Sequence, residues 1–325
     1  MQLQQLRYFV AVAEAGHFTR AAERMLVAQP SLSQQIRALE RELGAELVHR
    51  GRGASVLTDA GAALLPLARR ILADTESARQ AVQETVQLRR GRVRLGATPS
   101  LSVSLVPDVL RAFRERHPEV ELLLREDGSR DLVRTLAEGG LDLALIIPPP
   151  EGERTALAVT EVLHEDLVLV SAGPAGRRRA RITDLRDRPP VMFREGYDLR
   201  ETTIAACRAA GFEPRFAVEG GEMDAVLGFV RAGLGPAVLP GMVAARSGLT
   251  VTPFAGAGLG RTIAVAHHRD LPLPRAAAAL RTALLDHLAE ADRTGALPPG
   301  TRLAPPTGPP TGPPRDGGGA GPTAT

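Results

Sequence analysis

The stretch "AQPSLSQQIRALE", residues 28–40, decides how the amino end of this chain is read. Leu32, Ile36, Leu39 and, just beyond the stretch, Leu43 are spaced four, three and four apart, which predicts one buried stripe on a helix. On the opposite side fall Gln34, Arg37 and Arg41, flanked by Ser33 and by Gln29 at the tip. Pro30 is tolerated because it lies in the first helical turn, where no intrahelical N–H is needed. Gln and Arg side chains make paired hydrogen bonds to base edges in a DNA major groove, whereas Ser hydroxyls and helix amides suit phosphate oxygens. Periodicity taken alone favours a plainer interpretation, an amphipathic helix whose polar face is merely solvated.

The neighbouring residues reverse that preference. In "LQQLRYFVAVAEAG", residues 3–16, Leu3, Leu6, Val10 and Ala13 keep helical spacing and Gly16 supplies a stop. Thr19 is expected to cap a second helix, in which Ala21 and Ala22 are small enough for another helix to approach closely. After the third helix, "LVHRGRGASVLT" offers two short strands, 47–49 and 55–57, around the tip Gly51-Arg52-Gly53. Three short helices followed by such a wing form a winged helix-turn-helix, and the wing sets Arg50 and Arg52 beside a phosphate backbone or minor groove.

Residues 6–61 resemble the DNA-binding domain of LysR-type transcriptional regulators. The resemblance is carried by "FTRAAERM", by "QPSLSQQIRALE" as recognition helix, by "ELGAELVHR" leading into the wing and by "LTDAG" closing it. It implies that Gln29, Pro30, Ser33, Gln34, Arg37 and the wing residue Arg52 contact double-stranded DNA. Three positions depart from the family pattern. Ala28 stands where many relatives have a Ser cap, at about 1 kcal/mol of capping; Gln34 replaces a more usual Arg; Val48 replaces a common Phe.

Residues 1–58 are therefore expected to be the DNA-binding domain, and 59–90 a linker helix that starts after Thr58, a good N-cap. Leu64, Leu67, Ile71, Thr75, Ala78, Val82 and Thr85 alternate steps of three and four, the spacing of helices that pack along one another. Such a helix is about 45 Å long and outreaches a small winged domain. It calls either for a second copy or for a resting place on its own effector domain. Pro66 is expected to kink it. By the resemblance this is the dimerisation helix, and the paired recognition helices of a homodimer or homotetramer suit an interrupted inverted repeat.

From residue 91 strands and helices alternate, which predicts an α/β domain over 91–292 with a mainly parallel sheet. Its expected lobes are about 91–164 with 267–292, and about 165–266, joined by crossings near 163–167 and 265–268. The arrangement resembles the two-lobed, periplasmic-binding-protein-like (type 2) effector domain of the same family. In open α/β sheets, ligands settle at the carboxyl ends of strands. Thr98, Ser100 and Ser102 follow the first strand and are the leading candidates to hold a small carboxylate. Ser129 follows the second strand and matches a further ligand position of the family. Arg194, in "MFREG" of the other lobe, can pair with an acid group. Helix capping is the competing role for each hydroxyl.

Composition narrows the classes. The 40 basic residues are all Arg, which GC-rich coding explains, but 13 of them face only 9 acidic residues within 1–92. That modest one-ended excess suits a nucleic-acid contact. With 3% aromatics and no Trp, stacking on unpaired bases is disfavoured and a duplex groove fits better. The single cysteine, Cys207, excludes an internal disulfide and reads as a small buried side chain in a helix. No metal or cofactor motif and no catalytic constellation stands out, so the chain is expected not to be an enzyme. No signal peptide or membrane-length apolar run is found, so it is expected in the cytoplasm. The tail over 293–325, rich in Pro and Gly, is expected to be disordered. Two alternatives stay open: a cytosolic solute-binding protein whose first 90 residues only oligomerise, and an enzyme on an α/β scaffold.

Overall fold

The computed structural model describes residues 1–50, 54–86, 91–154, 156–174, 178–256 and 258–305. At the amino end, α1 (Leu3–Ala15), α2 (Phe18–Arg24) and α3 (Gln29–Leu43) precede an antiparallel wing, β1 (Val48–Arg50) with β2 (Ser55–Leu57). Leu6, Phe9, Val12, Ala21, Leu32, Ile36 and Leu39 are fully buried together, because the apolar stripes of the three helices converge. Gly16 ends α1 in the left-handed conformation that the expected stop requires. The start of α2 differs from expectation. His17 is the N-cap and Thr19 lies inside the helix.

The turn between α2 and α3 holds Leu26 at a φ of 54° with its side chain 92% exposed. A Cβ in this left-handed region is strained, and no burial compensates it. Leu26→Gly is therefore expected to stabilise the domain by about 0.5 kcal/mol, the relief of strain less the entropy of glycine in the unfolded chain. Urea unfolding would register this as a higher midpoint at unchanged slope.

Helix α4 (Asp59–Val86) runs through Pro66, and Thr58 caps it, its Oγ1 accepting from the Gly61 N–H at 3.0 Å. A Cβ at Gly61 would collide with the Leu47 carbonyl oxygen, so glycine lets the first turn of α4 rest on the wing. The helix also leans on its own effector domain. Arg69 reaches Glu14 at 3.2 Å on one side and Glu138 at 3.1 Å on the other. Arg70 Nη1 lies 2.7 Å from His268 Nε2, which accepts only when unprotonated. Burial foremost, then the Arg70 charge, hold the His268 pKa below its ordinary value; His267 adds slightly, while Asp270 and Asp74 oppose. An unfolded His268 thus takes up its proton at higher pH than the folded one. The stability it provides is complete above about pH 6.5 and is lost as the pH falls through that value toward the lower folded pKa. Thermal unfolding between about pH 7.5 and 5.5 is expected to show this loss, and His268→Gln to flatten it.

The effector domain follows with β3 (Arg92–Ala97), α5 (Pro99–Ser104), α6 (Val106–Arg116), β4 (Glu121–Glu126), α7 (Ser129–Ala137), β5 (Leu143–Ile146) and the long β6 (Leu157–Ser171). Then come α8 (Asp184–Asp187), β7 (Val191–Phe193), α9 (Asp198–Ala209), β8 (Val218–Gly221), α10 (Met223–Arg231), β9 (Ala237–Pro240), α11 (Gly241–Arg246) and β10 (Thr250–Pro253). The return is made by β11 (Leu259–His268), α12 (Arg275–Arg293) and β12 (Thr301–Leu303). In the first lobe β3 pairs in parallel with both β4 and β5. Beyond these the sheet is antiparallel, contrary to the mainly parallel expectation: β11 pairs antiparallel with β5 and β6, and β6 likewise with β9, β10 and β12.

The reason is that β6 and β11 are single long strands shared by both lobes. Thr160, Glu161 and His164 interrupt the apolar run of β6, which hid its first half from pattern reading. A register shift between Ile263 and Ala264 marks where β11 passes from β6 alone to pairing with β5 as well, just ahead of the expected crossing at 265–268. Two cores lie on either side of this hinge, one around Leu169, Val191, Phe193 and Val226, the other around Val93, Phe113, Leu143 and Leu284. Cys207 is buried in the former, and burial pushes its thiol pKa up to about 11.

The tail needs a correction. Helix α12 extends to Arg293, and β12 adds to β6 beside the hinge while Leu297 and Leu303 pack on the first-lobe core. A three-residue strand cannot form alone, but an existing strand offers it paired backbone partners. Residues 306–325 lie outside the described residues. Among the described residues, no helix is long and apolar enough to cross a membrane.

Candidate nucleic-acid interface and effector cleft

On α3, Gln29, Pro30, Gln34, Arg37 and Arg41 are exposed and Ser33 is half-buried, opposite the buried Leu32, Ile36 and Leu39. A shallow groove of about 450 Å³ runs along this face, lined by Gln34, Arg37, Glu40, Arg41, Gly44, Ala45 and Glu46. The stripe ends differently from the expectation. Leu43 is 44% exposed, and Glu40 is the buried residue of the last turn. Its Oε1 accepts the N–H groups of Leu47 and Val48 at 3.0 and 3.4 Å, which positions the wing against the recognition helix. Periodicity could not reveal Glu40, since a buried carboxylate depends on backbone donors arriving from the next element. Arg50 ends β1 opposite Ser55; Arg52 lies outside the described residues.

The second site gathers at the carboxyl ends of the first-lobe strands. Thr98 and Ser100 are buried beside one another, with their hydroxyl oxygens 3.4 Å apart, and Ser102 Oγ is buried without a hydrogen-bond partner among the described residues. Ser129 Oγ accepts the Ile147 N–H at 3.0 Å and donates to Asp198 Oδ2 of the other lobe at 2.6 Å. Arg194 is ion-paired with Glu222 and donates to the Glu195 carbonyl, so it faces a carboxylate of its own lobe. The structure thus brings Thr98, Ser100 and Ser129 to the same end of the first-lobe sheet and leaves Arg194 engaged within its own lobe.

Sequence reading did not find the arginine that reaches those serines. Arg261, on β11 at the hinge, donates from Nη1 to Ser100 Oγ at 2.8 Å and from Nε to Glu165 Oε2 at 2.9 Å. Its Nη2, 2.7 Å from the same carboxylate oxygen, is too poorly aligned to be hydrogen-bonded. Glu165 also accepts the Met242 N–H of α11 at 2.8 Å, so one buried ion pair ties the second lobe to the cleft hydroxyls. Tyr197 stacks on Phe193 and its buried Oη has no hydrogen-bond partner among the described residues. Burial foremost keeps that phenol protonated well above its ordinary range, against the opposing pull of Arg261.

Known proteins match both parts. The model described as bacterial regulatory helix-turn-helix protein, lysR family, matches residues 3–62, and that described as LysR substrate binding domain matches residues 87–289. The chain is 34% identical to the transcriptional dual regulator GltC of Bacillus subtilis (strain 168), over 74% of this chain and 81% of that protein. Full-length OxyR from Pseudomonas aeruginosa superposes with a TM-score of 0.67 at 27% identity, over 87% of this chain and 94% of that one. Full-length CbnR complexed with its target DNA superposes with a TM-score of 0.65 at 26% identity, over 90% of this chain and all (100%) of that one. With a helix-turn-helix at one end, a two-lobed effector domain at the other and matches of this extent to both, the chain belongs to the LysR family of transcriptional regulators.

Proposed function

We propose that α3 docks in the major groove of operator DNA, with Gln29, Pro30, Ser33, Gln34 and Arg37 against bases and backbone and with Arg50 and Arg52 following the phosphates from the wing. The observation that carries this reading is the exposed Gln29, Gln34 and Arg37 face set directly over a fully buried stripe. The fixed core supplies rigidity and the free face supplies donors. Along α4, Leu67 and Val82 are 61% and 65% exposed, which supports pairing of two copies over this seam as a homodimer or dimer of dimers. Two recognition helices then match an interrupted inverted repeat, and the protein works in the cytoplasm with its DNA.

The cleft, in this reading, takes a small carboxylate on Thr98, Ser100, Ser102 and Ser129, with Arg194 at the rim, and binding biases the angle between the lobes and so between the paired winged domains. A footprint on the DNA upstream of the chain's own gene is the test of the first half. The expected result is a protected interrupted repeat whose affinity falls steeply with salt. Sequence-independent coating would overturn it. Thermal stabilisation by a panel of carboxylates tests the second half, since a ligand at about a hundred times its Kd adds about 2.7 kcal/mol.

A further inference from the structure

We infer that the effector is a zwitterion of amino-acid type, its carboxylate on the α5 hydroxyls and its ammonium group facing Asp198 and Glu126. This rests on the carboxylate reading above and narrows it: the carboxylate stays on Thr98, Ser100 and Ser102, while Ser129 holds Asp198.

The first ground is where Asp198 stands. Strand β3 lies between β4 and β5. Ser129, which follows β4, reaches across to the Ile147 N–H, which follows β5, so its hydroxyl spans the end of β3 where Thr98 begins. The Asp198 carboxylate bonded to that hydroxyl therefore belongs to the second lobe but occupies the end of the first-lobe sheet. A ligand carrying two carboxylates would have to put one of them where the protein has already placed its own.

The second ground is charge. The two arginines of the cleft are each committed, Arg261 to the buried Glu165 and Arg194 to Glu222, and Asp127 is paired with Arg125 at 3.1 Å. Asp198 and Glu126 have no cationic partner among the described residues. Asp198 opens α9, whose dipole offsets part of its charge, but the cleft keeps a surplus of negative charge. A dianion meets that surplus with repulsion. A molecule with one carboxylate and one ammonium group matches it end for end.

The third ground is the orphaned polar groups. Ser102 Oγ, on α5, is buried without a hydrogen-bond partner among the described residues, where a carboxylate can use its donor. Tyr197, 4% exposed and next in sequence to Asp198, holds a buried hydroxyl without a hydrogen-bond partner among the described residues. A buried polar group without a partner is costly, and a bound polar molecule removes that cost.

The test is calorimetric titration of the full chain with L-amino acids and, for each, the 2-oxo and 2-hydroxy acid bearing the same side chain, together with simple dicarboxylates. At least one amino acid is expected to bind, with its 2-oxo counterpart weaker by about tenfold or more. Asp198→Asn is expected to weaken the amino acid by about the same factor and to narrow the gap. Equal or tighter binding of 2-oxo or dicarboxylic acids would overturn the zwitterion while leaving the carboxylate site intact. Binding by none of the acids would remove the carboxylate reading and this inference together. The wild-type comparison needs no variant, so an unstable Asp198→Asn protein does not obscure the answer.

Discussion

Replacing Glu165 with glutamine is expected to destabilise the protein by about 3 kcal/mol or more, the usual consequence of removing one partner of a buried ion pair. Both side chains are almost wholly out of solvent, 5% exposed for Arg261 and 0% for Glu165. Glutamine keeps the shape and retains an oxygen for the Met242 N–H, so the change isolates the lost charge and leaves the guanidinium buried without compensation. For a domain of this size, melting falls by roughly 6–12 °C. The double replacement Glu165→Leu with Arg261→Met should recover most of the stability, because an apolar pair avoids the desolvation of two ions. It should not recover the response to effector, since Ser100 then loses its link to the hinge. Melting of Glu165→Gln within about 2 °C of wild type would show that the pair does not hold the crossing.

Arg37→Ala is expected to cost about 1–3 kcal/mol of operator binding, or about 5- to 150-fold, while leaving the fold intact. The side chain is exposed, so its removal opens no cavity. Affinity for unrelated DNA should change far less, because a base contact contributes discrimination and a phosphate contact contributes general attraction. Gln34→Ala should relax preference in the same manner. Arg52→Ala should weaken all sequences more evenly and lower the salt slope by about one. Quantitative mobility shifts at two salt concentrations separate these outcomes, and unchanged operator affinity in all three variants would end the docking face proposed for α3.

The winged domain was legible in the sequence because its signals are local. The stripe Leu32, Ile36, Leu39 and the opposing Gln34 and Arg37 follow from a 3.6-residue period, and Gly16 and Thr58 act on the turns next to them. Thr98, Ser100 and Ser129 could be picked out for a similar reason, as hydroxyls directly after strands of a recognisable α/β pattern. That much is determined by residues within a few positions of one another.

Only the tertiary structure decided the rest. Leu43 gives way to Glu40 as the buried residue because donors of the wing, seven and eight positions on, need a carboxylate there. Arg261 meets Glu165 across 96 residues and Ser100 across 161, and Ser129 meets Asp198 across 69. No spacing rule links such positions. An ion pair or a lobe-to-lobe hydrogen bond is specified by the strand that carries each partner and by the register in which those strands lie, so the character of the cleft appears only once β6 and β11 are folded side by side.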